Sequence, residues 1–407
     1  MTTRRRVGVF FGGVSPEHEV SVISALQAMA ALNRTRWDPV PVYVAKDGAW
    51  WSGPGLTRPE MFKKPLTPGD ASFPVRPVPG TPGLLALERG VEGKLPWARR
   101  PLRVEVDLAL PVMHGGAGED GSLQGLFETL DVPYAGSGPL ASALAMDKVA
   151  AKRWAESHGI PQVPFSAFSE SEWAGSEESV MDGLIEEIGF PCIVKPSGLG
   201  SSIGIARAST REELDAAIED AFRYDGRVVV ERAVTRLREL NCSVLGTAAS
   251  ARASVLEEPL SGDALLSFRD KYLRGGGRPG KGGAKAPAEG MASLDRQIPA
   301  QIPDTLTAEV RELAVRTFRA FGCEGVVRID FLLDGADDRV YFNEINTMPG
   351  SMSFYLWEPT GVAFPDLLDA VLDAGLERHR QRAGRVRTYN VNLLSERDLG
   401  GLKGTKK

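Results

Sequence analysis

Apolar positions along the chain fall into two rhythms, one of strands and one of helices. Near the start, "RVGVFF" is a short β-branched and aromatic run that reads as a strand. A glycine-rich turn, "GGVSPEHE", then leads into "VSVISALQAMAAL", an amphipathic helix. "DPVPVYVA" and "VDLALPVMH" read as further strands, and "SLQGLFETL" as a helix opening after Gly121. This strand–glycine–helix repetition predicts a Rossmann-like parallel α/β domain over 1–140. The Pro/Gly-rich stretch 53–81 reads as loop.

A second unit, 141–235, opens on "GPLASALAMDKVAAKRWAESHGI", read as one helix closed by Gly159 with Pro161 beyond it. Strands "PCIVKP" and "RVVVERAV" flank the helix "TREELDAAIEDAF". In a third unit, 236–385, "ELNCSVLG", "EGVVRIDFLL" and "RVYFNEI" read as antiparallel strands. The helix "TLTAEVRELAVRTFRAF" there places Val310, Leu313, Ala314, Thr317, Phe318 and Phe321 on one face, which predicts that it covers a sheet. The fold class is therefore α/β, turning to α+β in the C-terminal part. Segment 274–290 carries seven glycines and interrupts this third unit, as a mobile binding loop would. Residues 386–407 are polar and read as a tail.

Composition narrows the function classes. The 407 residues suit two or three domains. A net charge of −5 argues against a nucleic-acid partner. No run of about 18 apolar residues is present, so no membrane span is expected, and the apolar run at the start is too short for a signal peptide. Cys192, Cys242 and Cys323 lack metal-ligand spacing and sit in apolar contexts. They read as buried free thiols of a reducing cytoplasm.

Candidate chemistry gathers at the end of the third unit. Strand alternation puts Arg328 and Asp330 on one face of "EGVVRIDFLL", and Val340, Phe342, Glu344 and Asn346 on one face of the next strand. A five-residue turn, 334–338, would set 333 opposite 339, 330 opposite 342 and 328 opposite 344. Asp330 and Glu344 would then be diagonal neighbours, with Asn346 beyond the last pair. Two carboxylates and an amide oxygen facing one point suit Mg²⁺ or Mn²⁺, and such a sparse set awaits phosphate oxygens.

"KPSGLGSSIG", 195–204, follows a strand and is rich in glycine, so its backbone N–H groups could cradle phosphates. It is not a P-loop, because Lys195 precedes the glycines. Glu17 and Glu19 suit a helix start, and recognition of a ligand's ammonium group is a second reading of Glu17. His114 ends a strand in a glycine-rich turn, where either a structural or a functional role is open.

Taken in order, "GGVSPEHEVS", "HGGAGEDGSLQG", "YAGSGPLASALAMDK", "IVKPSGLGSSIGI", "DKYL", "RIDF" and "NEINTMPG" resemble the D-alanine–D-alanine ligase family of the ATP-grasp superfamily. The resemblance runs from residue 7 to about residue 375 and implies an ATP-grasp fold behind the N-terminal Rossmann-like domain. It implies that ATP phosphorylates the carboxylate of one D-alanine and that the amine of a second attacks the acyl phosphate, supplying peptidoglycan precursors. By match to the family pattern, Asp330, Glu344 and Asn346 would hold two Mg²⁺ (or Mn²⁺), with Glu344 bridging. Lys148, Lys195 and Lys271 would meet ATP phosphates beside Ser202, with Glu231 and Val234 at the adenine and Glu239 at the ribose. Glu17, with Ser201 and Tyr272, would receive the first substrate's ammonium, and Arg328 with the Gly350 N–H would stabilise the oxyanion. A homodimer is also implied.

The chain departs from the family pattern in two places. The stretch after Gly350 is shorter, leaving Ser351 or Ser353 to meet the second substrate's carboxylate, and segment 274–290 is longer. Ligases of the vancomycin-resistance type that make D-Ala–D-lactate lack the Lys271–Tyr272 pair, so its presence favours an amine acceptor. D-alanine leads, with D-serine or another biosynthetic amino acid as the alternative.

Overall fold

Eight residues from Arg5 to Gly12 bury all but their first two side chains, as a strand covered on both faces must. This strand, β1, pairs in parallel with β2 (Trp37–Val44) and β7 (Leu108–Pro111). A computed structural model describes residues 4–69, 71–79, 85–89, 103–200, 203–260 and 296–389. The whole Gly-rich segment 274–290 and most of the tail, with Ser201, Ser202, Lys271 and Tyr272, lie outside the described residues.

The first sheet departs from the all-parallel expectation. β3 (Trp50–Ser52), β4 (Phe73–Pro79), β5 (Leu85–Arg89) and β6 (Arg103–Val106) extend it beyond β2 in antiparallel pairs. The turn joining β2 to β3 is too short for the crossover that a parallel pair needs. Stretch 53–81 is likewise more than loop: it contains 3₁₀ turns Pro54–Thr57 and Pro59–Lys63, each begun by proline, and then β4.

Helix 139–157 is in fact two helices, Pro139–Met146 and Lys148–Ser157. Asp147 between them is extended, and its carboxylate accepts from the Ala150 N–H at 2.9 Å, capping the second helix. The break brings Lys148 to a helix start, where its N–H donates to the Ser197 carbonyl at 2.9 Å.

A second sheet is antiparallel, ordered β10 (Ala206–Ala208), β9 (Cys192–Pro196), β11 (Arg227–Arg232), β8 (Phe165–Ser169). Helices Glu170–Glu187 and Arg211–Phe222 cover one face; the former starts with a capping box between Ser169 and Glu172.

The third sheet is antiparallel too, ordered β14 (Arg296–Gln297), β13 (Arg252–Pro259), β12 (Leu237–Gly246), β15 (Gly325–Asp334), β16 (Arg339–Asn346). Its core face packs Leu240, Val244, Val327, Ile329 and Phe331 under helix Asp304–Ala320. That helix buries all six residues assigned to its inner face, each contributing about 1.5–3 kcal/mol where the side chain is large and apolar. On the opposite face, Leu245 and Val326 lie against helix Phe364–Ala383. No helix among the described residues is long and apolar enough to cross a membrane.

The three cysteines are buried, and burial alone or as the largest cause pushes their thiols up, Cys192 to about 11 and Cys242 and Cys323 to about 12. Since the thiolate is the reactive form, native protein at pH 8 should give no fast reaction with a disulfide reagent, and denatured protein should give three equivalents. Rapid native labelling would contradict this packing.

Candidate active site

Alternation along β16 is interrupted once, and that interruption builds the site. From the turn inward, Asp334 pairs with Arg339, Leu333 with Val340, Leu332 with Tyr341 and Phe331 with Phe342. The next pair is Asp330 with Glu344, followed by Ile329 with Ile345 and Arg328 with Asn346. Asn343 is the extra residue, a β-bulge.

The expected register is therefore corrected. The turn is one residue tighter, so Val340 and Phe342 face the core with Leu333 and Phe331 instead of sharing a face with Glu344. After the bulge, Glu344 and Asn346 change sides. Glu344 stands directly opposite Asp330, not diagonal to it, and Arg328 faces Asn346 instead of Glu344.

The same row continues across the sheet, since Asn241 pairs with both Asp330 and Glu257. Glu257, Asn241, Asp330 and Glu344 thus form a polar line over four strands. Asp330 takes a two-pronged ion pair from Arg328, with Nε–Oδ1 and Nη2–Oδ2 both 2.7 Å, and Asn346 Nδ2 donates to Oδ2 at 3.1 Å. Burial works against the Arg328 charge, but Asp330 outweighs it and holds the guanidinium well above its ordinary value. Glu257, also buried, accepts from Asn241 at 2.9 Å, Tyr355 at 3.2 Å and Arg296 at 2.6 Å.

A second cluster joins the two antiparallel sheets. Lys195, on β9, donates to Glu231 Oε2 at 2.8 Å and to Asn343 Oδ1, in the bulge, at 3.0 Å. Lys152 stands 3.1 Å from the other oxygen of Glu231. Burial pushes Glu231 up, but Lys152 and then Lys195 outweigh it, so its carboxyl lies at about 2. Desolvation lowers Lys152.

The glycine loop runs from this cluster towards Glu17. Lys148 Nζ donates to the Leu199 carbonyl, and Gly198 N–H to Asp225 at 2.6 Å. A methyl group on Gly200 would lie 3.2 Å from Glu17 Oε2, and one on Gly115 only 2.8 Å from it. Two glycine turns distant in sequence therefore meet at this carboxylate. Glu17 stands at the N-cap of helix His18–Ala31 without a side-chain capping hydrogen bond, and Glu19 in its first turn pairs with Lys46. Val234 follows β11 and Glu239 lies on β12, both half-buried.

His114 is buried and bonded at both nitrogens. Nδ1 donates to the Met348 carbonyl at 2.8 Å, and Nε2 lies 2.9 Å from Ser24 Oγ. Ser24 in turn accepts the Ser351 N–H at 2.9 Å. The shortened stretch after Gly350 is a tight turn in which Ser351, Met352 and Ser353 all have φ near +50°. For such residues that conformation costs about 1–2 kcal/mol each, so the anchor on Ser24 and the burial of Met352 must hold it. The Ser351 and Ser353 hydroxyls are buried without a partner.

Sequence reasoning missed Lys152, Asn343, Ser24 and Glu257. Lys152 had a signal, since it follows Lys148 by one helical turn. The others depend on register or on contacts between distant segments.

The D-ala D-ala ligase N-terminus matches residues 6–137 and the D-ala D-ala ligase C-terminus residues 154–373. A D-alanine–D-alanine ligase of Heliobacterium modesticaldum is 38% identical over 383 residues, covering 93% of this chain and 96% of its own length. That of Bacillus velezensis is 37% identical, covering 91% and 98%. Among solved structures, the D-alanine–D-alanine ligase of Coxiella burnetii superposes with a TM-score of 0.75 at 26% identity, over 93% of this chain and 96% of its own. The VanG D-Ala:D-Ser ligase of Enterococcus faecalis gives 0.74 at 27%, over 92% and 100%.

The Ser24 bridge can be tested alone. Ser24→Ala leaves the buried Ser351 N–H without its acceptor, and should cost about 1–3 kcal/mol in urea denaturation. A loss below about 0.5 kcal/mol, the range of a neutral surface change, would show that the bridge carries no load.

Proposed function

The chain belongs to the D-alanine–D-alanine ligase family, and on that premise we infer that it joins two D-alanines at the expense of ATP. The observation that carries this reading is the single face shared by Arg328, Asp330, Glu344 and Asn346, with Lys195 reaching its edge. Phosphoryl transfer from ATP to the first substrate's carboxylate would give an acyl phosphate, and the second substrate's amine would displace the phosphate. The product is a dipeptide of the kind that peptidoglycan synthesis consumes.

Asp330, Glu344 and Asn346 fit divalent metal ions by donor type and placement, and Asp330 already binds a cationic group in Arg328. Among the described residues no three His, Cys, Asp or Glu side chains cluster as a closed metal site. Two Mg²⁺ or Mn²⁺ bound there would neutralise charge on the transferring phosphoryl group.

The chain's own groups do the rest. Lys148, Lys195 and Lys271 would hold the nucleotide's phosphates with Ser202 and the glycine loop, and Glu231, Val234 and Glu239 its adenine and ribose. Glu17, beside Gly115 and Gly200, would take the first substrate's ammonium with Ser201 and Tyr272. Arg328, released from Asp330, and the Gly350 N–H would stabilise the oxyanion of the attack. Ser351 is the candidate for the second substrate's carboxylate. Its neighbour Ser353, a second buried hydroxyl without a partner, is the other candidate for that carboxylate, and D-serine is the alternative acceptor. Buried free thiols fit a reducing cytoplasm, and family membership is the ground for a homodimer.

Phosphate release with ATP, Mg²⁺ and a panel of D-amino acids tests the reaction. Release that needs D-alanine and yields the homodipeptide is expected; a strict need for D-serine would establish the alternative, and no release with any amino acid would sink both. Glu344→Gln should fold normally and lose about 100-fold or more in turnover, the scale of a lost electrostatic stabiliser. Unchanged turnover would remove Glu344 from the metal set.

A further inference from the structure

We propose that Lys152 is a positioning residue of the nucleotide cleft: by holding one oxygen of Glu231, it lets Lys195 move from the other oxygen to the phosphates of a bound nucleotide. The inference rests on the nucleotide reading above and adds a residue that this reading leaves without a role.

The geometry separates the two lysines. Lys152 projects from helix Lys148–Ser157 and is 1% exposed; Glu231, on β11, is 2% exposed. Each ammonium takes its own carboxylate oxygen, Lys152 at 3.1 Å from Oε1 and Lys195 at 2.8 Å from Oε2. Lys152 lies 5.1 Å over the Phe165 ring, and its approach to Oε1 is ionic, without the alignment of a hydrogen bond. Its side chain is enclosed and has no route to a ligand. Lys195 differs: it makes two aligned hydrogen bonds and stands on the strand that runs into the glycine loop.

Charge gives the arrangement its consequence. Two lysine side chains face one carboxylate, each on its own oxygen, with Lys148 close by. A buried charge without a counter-ion is costly. Lys195, 7% exposed, stands on the strand that leads into the glycine loop. With Lys195 as its only partner, Glu231 would be stranded in the interior whenever a phosphate recruited the lysine. Lys152 stays on Glu231 and removes that penalty, so the nucleotide does not have to outbid the carboxylate for Lys195.

The test compares ADP with adenosine by titration calorimetry in the presence of Mg²⁺, because their affinity ratio isolates the phosphate contribution. In Lys152→Met, Lys195 becomes the sole partner of Glu231, and ADP affinity should fall ~10-fold, about 1.4 kcal/mol, while adenosine affinity holds. Adding Glu231→Gln should restore the ADP-to-adenosine ratio, because the competing charge is gone. A generally loosened structure would weaken both ligands, and no second substitution at Glu231 would repair it. Lys152→Arg keeps the charge and should keep the ratio.

Should Lys152→Met fail to fold, Glu231→Gln alone decides: it frees Lys195, and the ratio should rise. An unchanged ratio in Lys152→Met, no restoration in the double variant, or an unchanged ratio in Glu231→Gln overturns the inference while leaving ATP use intact. Absence of ADP binding by the unaltered protein would instead overturn the nucleotide reading, and this inference with it.

Discussion

In a β-strand each side chain's face is fixed by counting, and a single extra residue reverses the count. Asn343 is that residue. On its turn side, Val340 and Phe342 fill the core under helix Asp304–Ala320; on its other side, Glu344 and Asn346 join Arg328 and Asp330. Without the bulge, a strand that buries Phe342 would also bury Glu344, and a carboxylate among Phe331, Ile329 and Phe318 has no stable state. The bulge lets one strand serve the core and the polar face in turn. It also turns the Asn343 amide towards Lys195, tying the third sheet to the second where a nucleotide would lie between them.

Electrostatics then explains why the cleft is ordered. Arg328 closes on Asp330, and Lys152 and Lys195 close on Glu231, so the charged groups of the proposed site hold one another in place. Such pairs give each buried charge a partner of opposite sign. The N-terminal domain holds the far wall by a different means. His114 and Ser24 form a hydrogen-bonded chain to the Met348 carbonyl and the Ser351 N–H, which fixes the left-handed turn just beyond β16.

Much of this was legible in the sequence. The buried strand "RVGVFF", the inner face of helix Asp304–Ala320 and the ordered motifs led to the right family and to a compact set of polar residues. What failed did so for physical reasons. A period-two reading of β16 cannot reveal a bulge, since Asn343 and Glu344 look like any polar pair. Asp147 breaks a helix that looks continuous, because its propensity to cap competes only weakly with the apolar pattern on either side. Of the extra strands, β3, β5 and β6 are short and β4 carries three prolines, which is the composition of a loop. Lys152 was visible as a lysine one turn past Lys148, but its burial depends on Glu231, which lies far away in sequence.

The most direct test of the account is a crystal structure with ADP and Mn²⁺, read from the anomalous signal of the manganese. The account predicts metal at coordinating distance from Asp330, Glu344 and Asn346 together, with Arg328 withdrawn from Asp330. Manganese elsewhere, or Arg328 still clasping Asp330 with nucleotide bound, would contradict it.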